Sequence, residues 1–289
     1  MKYDCFIFYN ELDVLEIRLN ELDDVVDEFV LVEGKKTFQG DDKKLHFEEN
    51  KDRFEDFLHK INHVVVDEYP HGIFQKSPWE VEYFTRDSIM DGLEGCSNDD
   101  IILISDVDEI PRPEVVASLE PESSIQVLET RFSYYFLNCV RADDSLRWTG
   151  PIVLSYANLE HRAPTELRGP LASTELTSQF GLPRSIVREV WALAMTLYIR
   201  CRVEVVPNAG WHFSYQGGVE SIIDKIESFS ATQFNKKEYK DEERIRSAMR
   251  EGQDLYGRGH DFEFVEVDET FPTHIRDNEE KYQHMILEK

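Results

Sequence analysis

Two aspartates and a glutamate directly follow an apolar run in the first half of the chain. The run IILIS, residues 101–105, leads into Asp106, Val107, Asp108 and Glu109. Ligands of open parallel sheets bind beyond the carboxyl ends of strands, and hard divalent cations take carboxylate oxygens. The segment therefore indicates a site for Mg²⁺ or Mn²⁺ with a phosphate-bearing ligand. The plainer alternative is an acidic strand-to-helix turn in which Asp serves as a cap.

A second segment, residues 208–215, places a histidine among aromatic residues. The neutral imidazole of His212 suits the completion of the same metal site, and the rings of Trp211 and Tyr215 suit the apolar faces of sugars. The alternative is an aromatic core with a hydrogen-bonded histidine.

A third segment, WEVEYFTR at 79–86, ends in Arg86, whose guanidinium matches a diphosphate in fork geometry. By itself, Arg86 is also typical of a surface helix.

Alternating strands and helices are predicted over the first 120 residues. Their periodicity indicates a largely parallel sheet covered on both faces, which is a Rossmann-like arrangement. Pro111 and Pro113 are expected to open a short helix after the fourth strand. The predicted strands are 4–9, 28–33, 63–69 and 100–105, and the predicted helices are 12–22, about 50–60 and 78–93.

The pattern changes after Pro121 to longer strand-like runs rich in Tyr and Phe, which predicts a partly antiparallel continuation of the sheet. No internal repeat or Ser/Gly linker interrupts the chain, so we expect one α/β unit with two halves. The predicted strands of this half are 124–138, 147–156, 203–207 and 211–216, and the predicted helices are 185–199, 219–230 and 241–251.

Composition excludes several classes of protein. The 289 residues include 58 acidic and 32 basic side chains, a formal charge of −26, which argues against a nucleic-acid partner. No apolar run approaches the roughly 20 residues of a membrane span, and the N-terminal stretch lacks the parts of a secretory signal. We therefore expect no membrane span and a cytoplasmic location. The four cysteines are widely separated and are predicted to be reduced thiols.

Several of these segments together resemble glycosyltransferase family 17. The resemblance rests on YDCFIFYNELDVLEIRLNEL, FVLVEG, the helix ending in Arg86, IILISDVDEIP and GWHFSY, and it extends into 131–150 and 208–230. It implies a GT-A fold, that is, a Rossmann-like mixed sheet flanked by helices in a single domain. Residues 1–120 would bind the nucleotide sugar, and residues 121–289 would form the acceptor-binding half, continuous with the first.

The resemblance also implies an activity: inverting transfer of a sugar, GlcNAc above all, from a UDP-sugar donor to a glycan hydroxyl, with Mn²⁺ or Mg²⁺ as cofactor. Roles are then assigned residue by residue. The metal ligands would be Asp106, Asp108 and His212; the nucleotide side would include Glu33, Arg86 and Asp106; the candidate bases are Glu109 and Glu220; and Trp148, Trp211 and Tyr215 would contact substrate.

Two other classes of protein remain as alternatives. A haloacid-dehalogenase-type phosphatase also has an apolar run followed by two aspartates, but it needs Thr or Val at the position held here by Ile110, and its motif lies near the chain start. A catalytically inactive glycan- or cation-binding module is compatible with the charge and the aromatic content. However, DVDEIPRPEVVA lacks the glycine and terminal glutamate of an EF-hand loop.

Overall fold

A mixed β-sheet runs through the described residues, 1–142, 148–171 and 184–288, of this computed structural model. Its strand order is β10-β7-β6-β8-β4-β1-β2-β3, and β5 and β9 join it through pairings with each other and with β6. The strands are β1 Lys2–Phe8, β2 Glu28–Gly34, β3 Ile61–Val66, β4 Ile101–Asp106, β5 Glu109–Pro111, β6 Ile125–Tyr134, β7 Cys139–Arg141, β8 Trp148–Ser155, β9 Val203–Ser214 and β10 Phe262–Phe264.

The first half of the sheet is parallel, because β1 lies between β2 and β4 and β2 pairs in parallel with β3. Its strands are apolar on both faces, as expected for a sheet covered on both sides. In β1, Cys5 and Ile7 belong to the core on one face, whereas Phe6 and Phe8 belong to the core on the other. The predicted mixed sheet flanked by helices is confirmed.

The second half introduces antiparallel strands. β8 pairs in antiparallel fashion with β4 and β6, whereas β9 runs parallel to β6 and antiparallel to β5. The sequence predicted two short strands at 203–207 and 211–216, but the structure has one twelve-residue strand, β9. Asn208, at a φ of 52°, lies in this strand where its pairing with β6 shifts register.

The helices cover both faces of the sheet, and those predicted around 12–22, 185–199, 219–230 and 241–251 are confirmed. The predicted helix at 50–60 is instead a short α-helix followed by a 3₁₀ segment, Lys51–Phe57. The helices are α1 Leu12–Leu22, α2 His46–Glu49, α3 Pro78–Asp87, α4 Pro113–Ala117, α5 Tyr156–Leu159, α6 Pro164–Leu171, α7 Arg184–Ile199, α8 Gly218–Ser228, α9 Glu242–Glu251 and α10 Thr273–Asp277.

The sequence also led to expectations about membrane spans and about the cysteines. In the part of the chain that the structure describes, every helix is too short or too polar to cross a lipid bilayer. The four cysteines are free thiols, with Cys5 and Cys139 buried and Cys96 and Cys201 half-buried.

Candidate active site

The two most informative sequence segments are neighbours in the sheet. β4 ends at Asp106, and after the turn β5 pairs with β9 so that Glu109 lies opposite His212 and Ile110 opposite Trp211. Gly210 permits this approach, because a Cβ there would lie 2.3 Å from the Ile110 carbonyl oxygen. Backbone pairing thus fixes the acidic turn beside the histidine strand, although about a hundred residues separate them in sequence.

A cavity of about 780 Å³ opens at the carboxyl ends of β1, β2 and β4, as expected for an open α/β sheet. Its size is in the range of small-molecule sites. The cavity is lined from both halves of the chain. The residues on its wall that were predicted from sequence are Arg86, Asp106, Asp108, Trp148, His212 and Tyr215.

Asp108 lies between an imidazole and an ammonium group. Its Oδ1 is 3.6 Å from His212 Nε2, and its Oδ2 is 3.1 Å from Lys225 Nζ. Burial would raise the pKa of Asp108, but Lys225 and His212 outweigh it and hold this pKa well below its usual range. Burial also opposes the charge of Lys225, yet Asp108 and Glu11 raise the Lys225 pKa above its ordinary value. Both groups are therefore charged at neutral pH.

Asp106 faces two arginines. Its Oδ1 accepts from Arg86 at 3.1 Å, and its Oδ2 accepts from Arg168 at 2.9 Å. Burial raises the pKa of Asp106, but Arg168 and Arg86 more than compensate, so the pKa is lowered. Arg86 also pairs with Glu82 at 2.8 Å. Both oxygens of Asp106 are thus paired with arginines, whereas the sequence predicted Asp106 as a ligand of a metal shared with Asp108 and His212.

Glu109, a predicted base, is fully buried and does not line the cavity. Its Oε1 accepts from Trp148 Nε1 at 2.5 Å, and its Oε2 accepts from Arg168 at 2.7 Å and from the backbone N–H of Asp106 at 2.8 Å. Gly150 makes room for this arrangement, since a Cβ there would lie 1.9 Å from Glu109 Oε1. Glu109 therefore positions Arg168, Trp148 and the acidic turn.

Glu33 also lies outside the cavity wall, although the sequence placed it on the nucleotide side. Its buried carboxylate accepts from the backbone N–H of His46 at 2.5 Å and from Lys43 Nζ at 3.1 Å, and it lies 3.2 Å from His63 Nε2. Lys43 does line the cavity. Glu33 thus holds the first turn of α2 and the side chain of Lys43 in place. Lys43, and not Glu33, faces the cavity.

Two further predicted site residues lie away from the cavity. Trp211 points to the opposite side of β9 from His212, because neighbouring side chains of a strand alternate. There its Nε1 donates to the Thr270 carbonyl at 2.8 Å, and Arg112 lies 4.3 Å from its ring centroid. Glu220 is exposed on the first turn of α8. The predicted contact of Trp211 with a sugar and the predicted role of Glu220 as base are therefore not supported by their positions.

Aromatic rings surround His212. Phe132 meets it edge-on at 4.8 Å between ring centroids, and Trp148 lies at 5.0 Å. The hydroxyl of Tyr215 is 2.5 Å from that of Tyr256, and the Tyr215 ring lies 5.5 Å from Lys225 Nζ. The side chains of His212 and Asp108 are buried beside these rings, and burial strengthens their electrostatic interactions.

The donor set fits a divalent cation only in part. Within the described ranges, no group of three His, Cys, Asp or Glu side chains is arranged to hold a metal. Asp108 and His212 do supply a carboxylate and an imidazole close together, and Mg²⁺ commonly uses one or two protein ligands with waters and substrate phosphates. Buried His212 Nδ1 has no hydrogen-bond partner among the described residues. These two residues therefore fit a cation whose other ligands come from a phosphate substrate.

Comparison with known proteins identifies the family. The model of glycosyltransferase family 17 matches residues 1–162, which is more than half of the chain. The chain belongs to glycosyltransferase family 17. The resemblance inferred from sequence motifs is thereby confirmed, as is the expectation that the protein is an enzyme of the glycosyltransferase class.

This family 17 chain has distant curated relatives. It is 35% identical over 116 residues to the β-1,4-mannosyl-glycoprotein 4-β-N-acetylglucosaminyltransferases of Homo sapiens and Rattus norvegicus, and 34% identical to that of Mus musculus. Each match covers 38% of this chain and 22% of the relative. The family 17 chain thus spans less than a quarter of the length of the relatives that it matches.

Solved structures similar to this family 17 chain are remote. One is the 2-C-methyl-D-erythritol 4-phosphate cytidylyltransferase of Francisella tularensis, with 13% identity, a TM-score of 0.33, and coverage of 71% of this chain and 89% of that chain. Another is the inositol-1-phosphate CTP transferase of T. maritima, with 12% identity, a TM-score of 0.36, and coverage of 88% and 98%. These likenesses have no bearing on the activity of the family 17 chain.

Several cationic residues of this family 17 site were not predicted, among them Arg18, Arg168 and Lys225. Arg18 is fully buried, pairs with Asp4 at 2.6 Å and donates to the backbone carbonyls of Asp106, Val107 and Glu109. Arg168 and Lys225 line the cavity. A lone arginine on the apolar face of α1 was the available signal for Arg18, because a buried charge requires partners. Nothing local in sequence marks the other two.

Proposed function

We propose that this protein is a metal-dependent inverting glycosyltransferase that moves GlcNAc from UDP-GlcNAc to a glycan hydroxyl and forms a β-linkage. One observation carries the proposal: strand pairing sets Asp108 beside His212, and helix α8 brings Lys225 to Asp108, on the wall of a cavity that also contains Arg86 and Arg168. Membership of family 17 and similarity to GlcNAc transferases support the choice of sugar.

The charged groups suit a departing nucleoside diphosphate. As the bond between the sugar C1 and the diphosphate oxygen breaks, negative charge grows on UDP, and fixed cations lower the energy of that state. Arg86 is buried and Lys225 is half-buried on the cavity wall, and both are held by ion pairs, so they provide this charge without reorganisation. Mn²⁺ or Mg²⁺, when held by Asp108 and His212, would act as a Lewis acid toward the diphosphate.

Inversion needs a carboxylate that takes the proton of the acceptor hydroxyl as its oxygen bonds to C1. Among the described residues, five carboxylates line the cavity, and three of them, Glu82, Asp106 and Asp108, pair with basic side chains within 3.1 Å. Of the other two, Glu11 lies 3.7 Å from Lys225 Nζ, and Glu80 has no ion pair in the described part of the chain. We assign the base to this pair in place of Glu109 and Glu220.

Calorimetry of UDP-GlcNAc binding with and without Mn²⁺ tests the proposal. Wild-type protein is expected to bind the donor only when Mn²⁺ is present, and Asp108→Ala is expected to lose that binding. Asp13→Ala is a matched control, because Asp13 also pairs with a basic side chain, Arg53 at 2.5 Å, but lies away from the cavity. Replacing Glu11 and Glu80 singly by Gln should leave donor binding intact and abolish transfer in one of the two.

Other outcomes would favour the rival functions. Equal donor affinity in wild type and Asp108→Ala would contradict the assigned donor site. Hydrolysis of phosphate esters that depends on Asp106 would indicate a phosphatase. Binding of glycans without any response to nucleotide or Mn²⁺ would indicate an inactive glycan-binding module.

A further inference from the structure

An exposed pair of aromatic rings stands at the mouth of the cavity. Among the described residues, Trp79 and Tyr83 are the two large apolar side chains that are both exposed and part of the cavity wall, at 37% and 36% exposure. They are one turn apart on α3, and their ring centroids are 6.2 Å apart. Exposed apolar surface of this kind is typical of ligand-binding grooves.

Helix α3 leads from the mouth to the charged interior. Trp79, Glu82, Tyr83 and Arg86 follow the spacing of one helix face and all line the cavity. Exposure falls along this face, since Glu82 and Arg86 are buried and Arg86 contacts Asp106. Seven residues of helix place Trp79 about 10 Å from Arg86 along the axis. The ring of Trp79 therefore lies nearer the mouth of the cavity than the charged interior.

We infer that Trp79 and Tyr83 form a stacking platform for a sugar ring of the acceptor glycan. This inference rests on the proposed function. The acceptor must reach the donor from solvent, because the cationic interior is taken by the leaving group, and α3 borders that route. Sugar rings present C–H faces that pack on aromatic rings, and polar groups beside the platform fix orientation. Glu80, exposed and on the cavity wall, is such a group, because its carboxylate can accept hydrogen bonds from sugar hydroxyls.

The test compares saccharide and donor binding in the same variants. The saccharide probe is a disaccharide that ends in a β-1,4-linked mannose, because the relatives' name states a β-1,4-mannosyl acceptor. Trp79→Ala is expected to weaken saccharide binding, and to raise the KM for acceptor, about tenfold, which is the effect of losing one aromatic contact. Affinity for UDP-GlcNAc with Mn²⁺ should stay unchanged, and Trp79→Phe should keep most of the saccharide affinity.

Tyr198→Ala is the matched control, because Tyr198 is 69% exposed on α7 and lies off the cavity wall. It should bind the saccharide as wild type does. Saccharide should also change the fluorescence of wild-type protein, and this change should be absent in Trp79→Ala.

Three results would overturn the inference: an equal loss of UDP-GlcNAc binding in Trp79→Ala, an equal effect of Tyr198→Ala, or no response of the wild-type protein to saccharide. If the proposed function were wrong, the binding results would differ from these three. In that case wild-type protein would not bind UDP-GlcNAc, while saccharide binding would still depend on Trp79.

Discussion

Lys225 Nζ lies 3.1 Å from Asp108 Oδ2, and both side chains are largely buried in the cavity wall. The contact joins the acidic turn after β4 to helix α8, which are 117 residues apart in sequence. A buried ion pair of this kind contributes little net stability by itself, but removal of either partner leaves an uncompensated charge. We therefore expect the ion pair to contribute to the chemistry of the site and not to net stability.

Replacing Lys225 with Met should lower kcat/KM for sugar transfer about 100-fold, since removal of one preorganised donor to a developing charge has an effect of that order. Lys225→Arg should retain part of the activity. The measurement is steady-state kinetics with varied donor. Lys240→Met is the control, because Lys240 pairs with Glu227 at 2.7 Å on the surface. Equal rates for the Lys225→Met and Lys240→Met variants would remove Lys225 from the mechanism.

Stability should depend on pH through the aspartates of the cavity. The pKa values of Asp106 and Asp108 are lowered in the folded protein, so as pH falls the unfolded chain takes up protons first. Their stabilisation is complete above the ordinary aspartate pKa, about 3.9, and is lost as pH falls through the lower native values. Asp108→Asn should therefore be less stable than wild type at pH 7, and the difference should narrow below about pH 4. Urea unfolding at several pH values measures it, and a difference that stays constant with pH would contradict this account.

Gly150→Ala should destabilise the protein by about 1–3 kcal/mol, because the added methyl would meet Glu109 Oε1 at 1.9 Å and Trp148 Nε1 at 2.1 Å. Gly169→Ala is a suitable comparison, since nothing lies within 4 Å of its added Cβ. Gly169 is in α6, where Ala is favoured over Gly, so that variant should be as stable as wild type or more so. Thermal unfolding distinguishes the two, and equal melting temperatures would show that the site tolerates the methyl group.

Arg18→Met should cost about 3–5 kcal/mol of unfolding free energy, because it leaves Asp4 buried and unpaired. It also removes donors to three carbonyls of the acidic turn. Arg53→Met removes ion pairs with Asp13 and Glu16 nearer the surface and should cost no more than about 1 kcal/mol for each pair. Denaturant titration measures both variants. A similar cost for both would mean that the Arg18 network does not hold the turn.

Local patterns predicted much of the first half of the fold. The apolar runs that became β1, β2 and β4 are short, dense and separated by helical periodicity, so element type followed from sequence alone. The position of Asp108 in the turn after β4 followed from the same pattern. His212 was predicted from its aromatic surroundings, and β9 places it on the cavity wall.

The face of the sheet to which a side chain points, and the contacts between residues that are distant in sequence, could not be predicted from local patterns. In a strand, either Trp211 or His212 can face the cavity, and only the pairing of β9 with β5 decides which one does. Arg168 and Lys225 are ordinary helix cations until the fold brings them to Asp106 and Asp108. Glu109 had the right chemistry for a base, but packing buries it beneath Arg168.

The pairing of β5 with β9 constrains the length of the chain as well as its composition. Deleting a single residue of β9 ahead of Ile110's partner, Trp211, would rotate each following side chain to the other side of the strand. The imidazole would then enter the apolar layer on the other face of the sheet, and the ring of Phe213 would take its place beside Asp108. Insertions and deletions in this strand should therefore be as damaging as replacing the histidine itself.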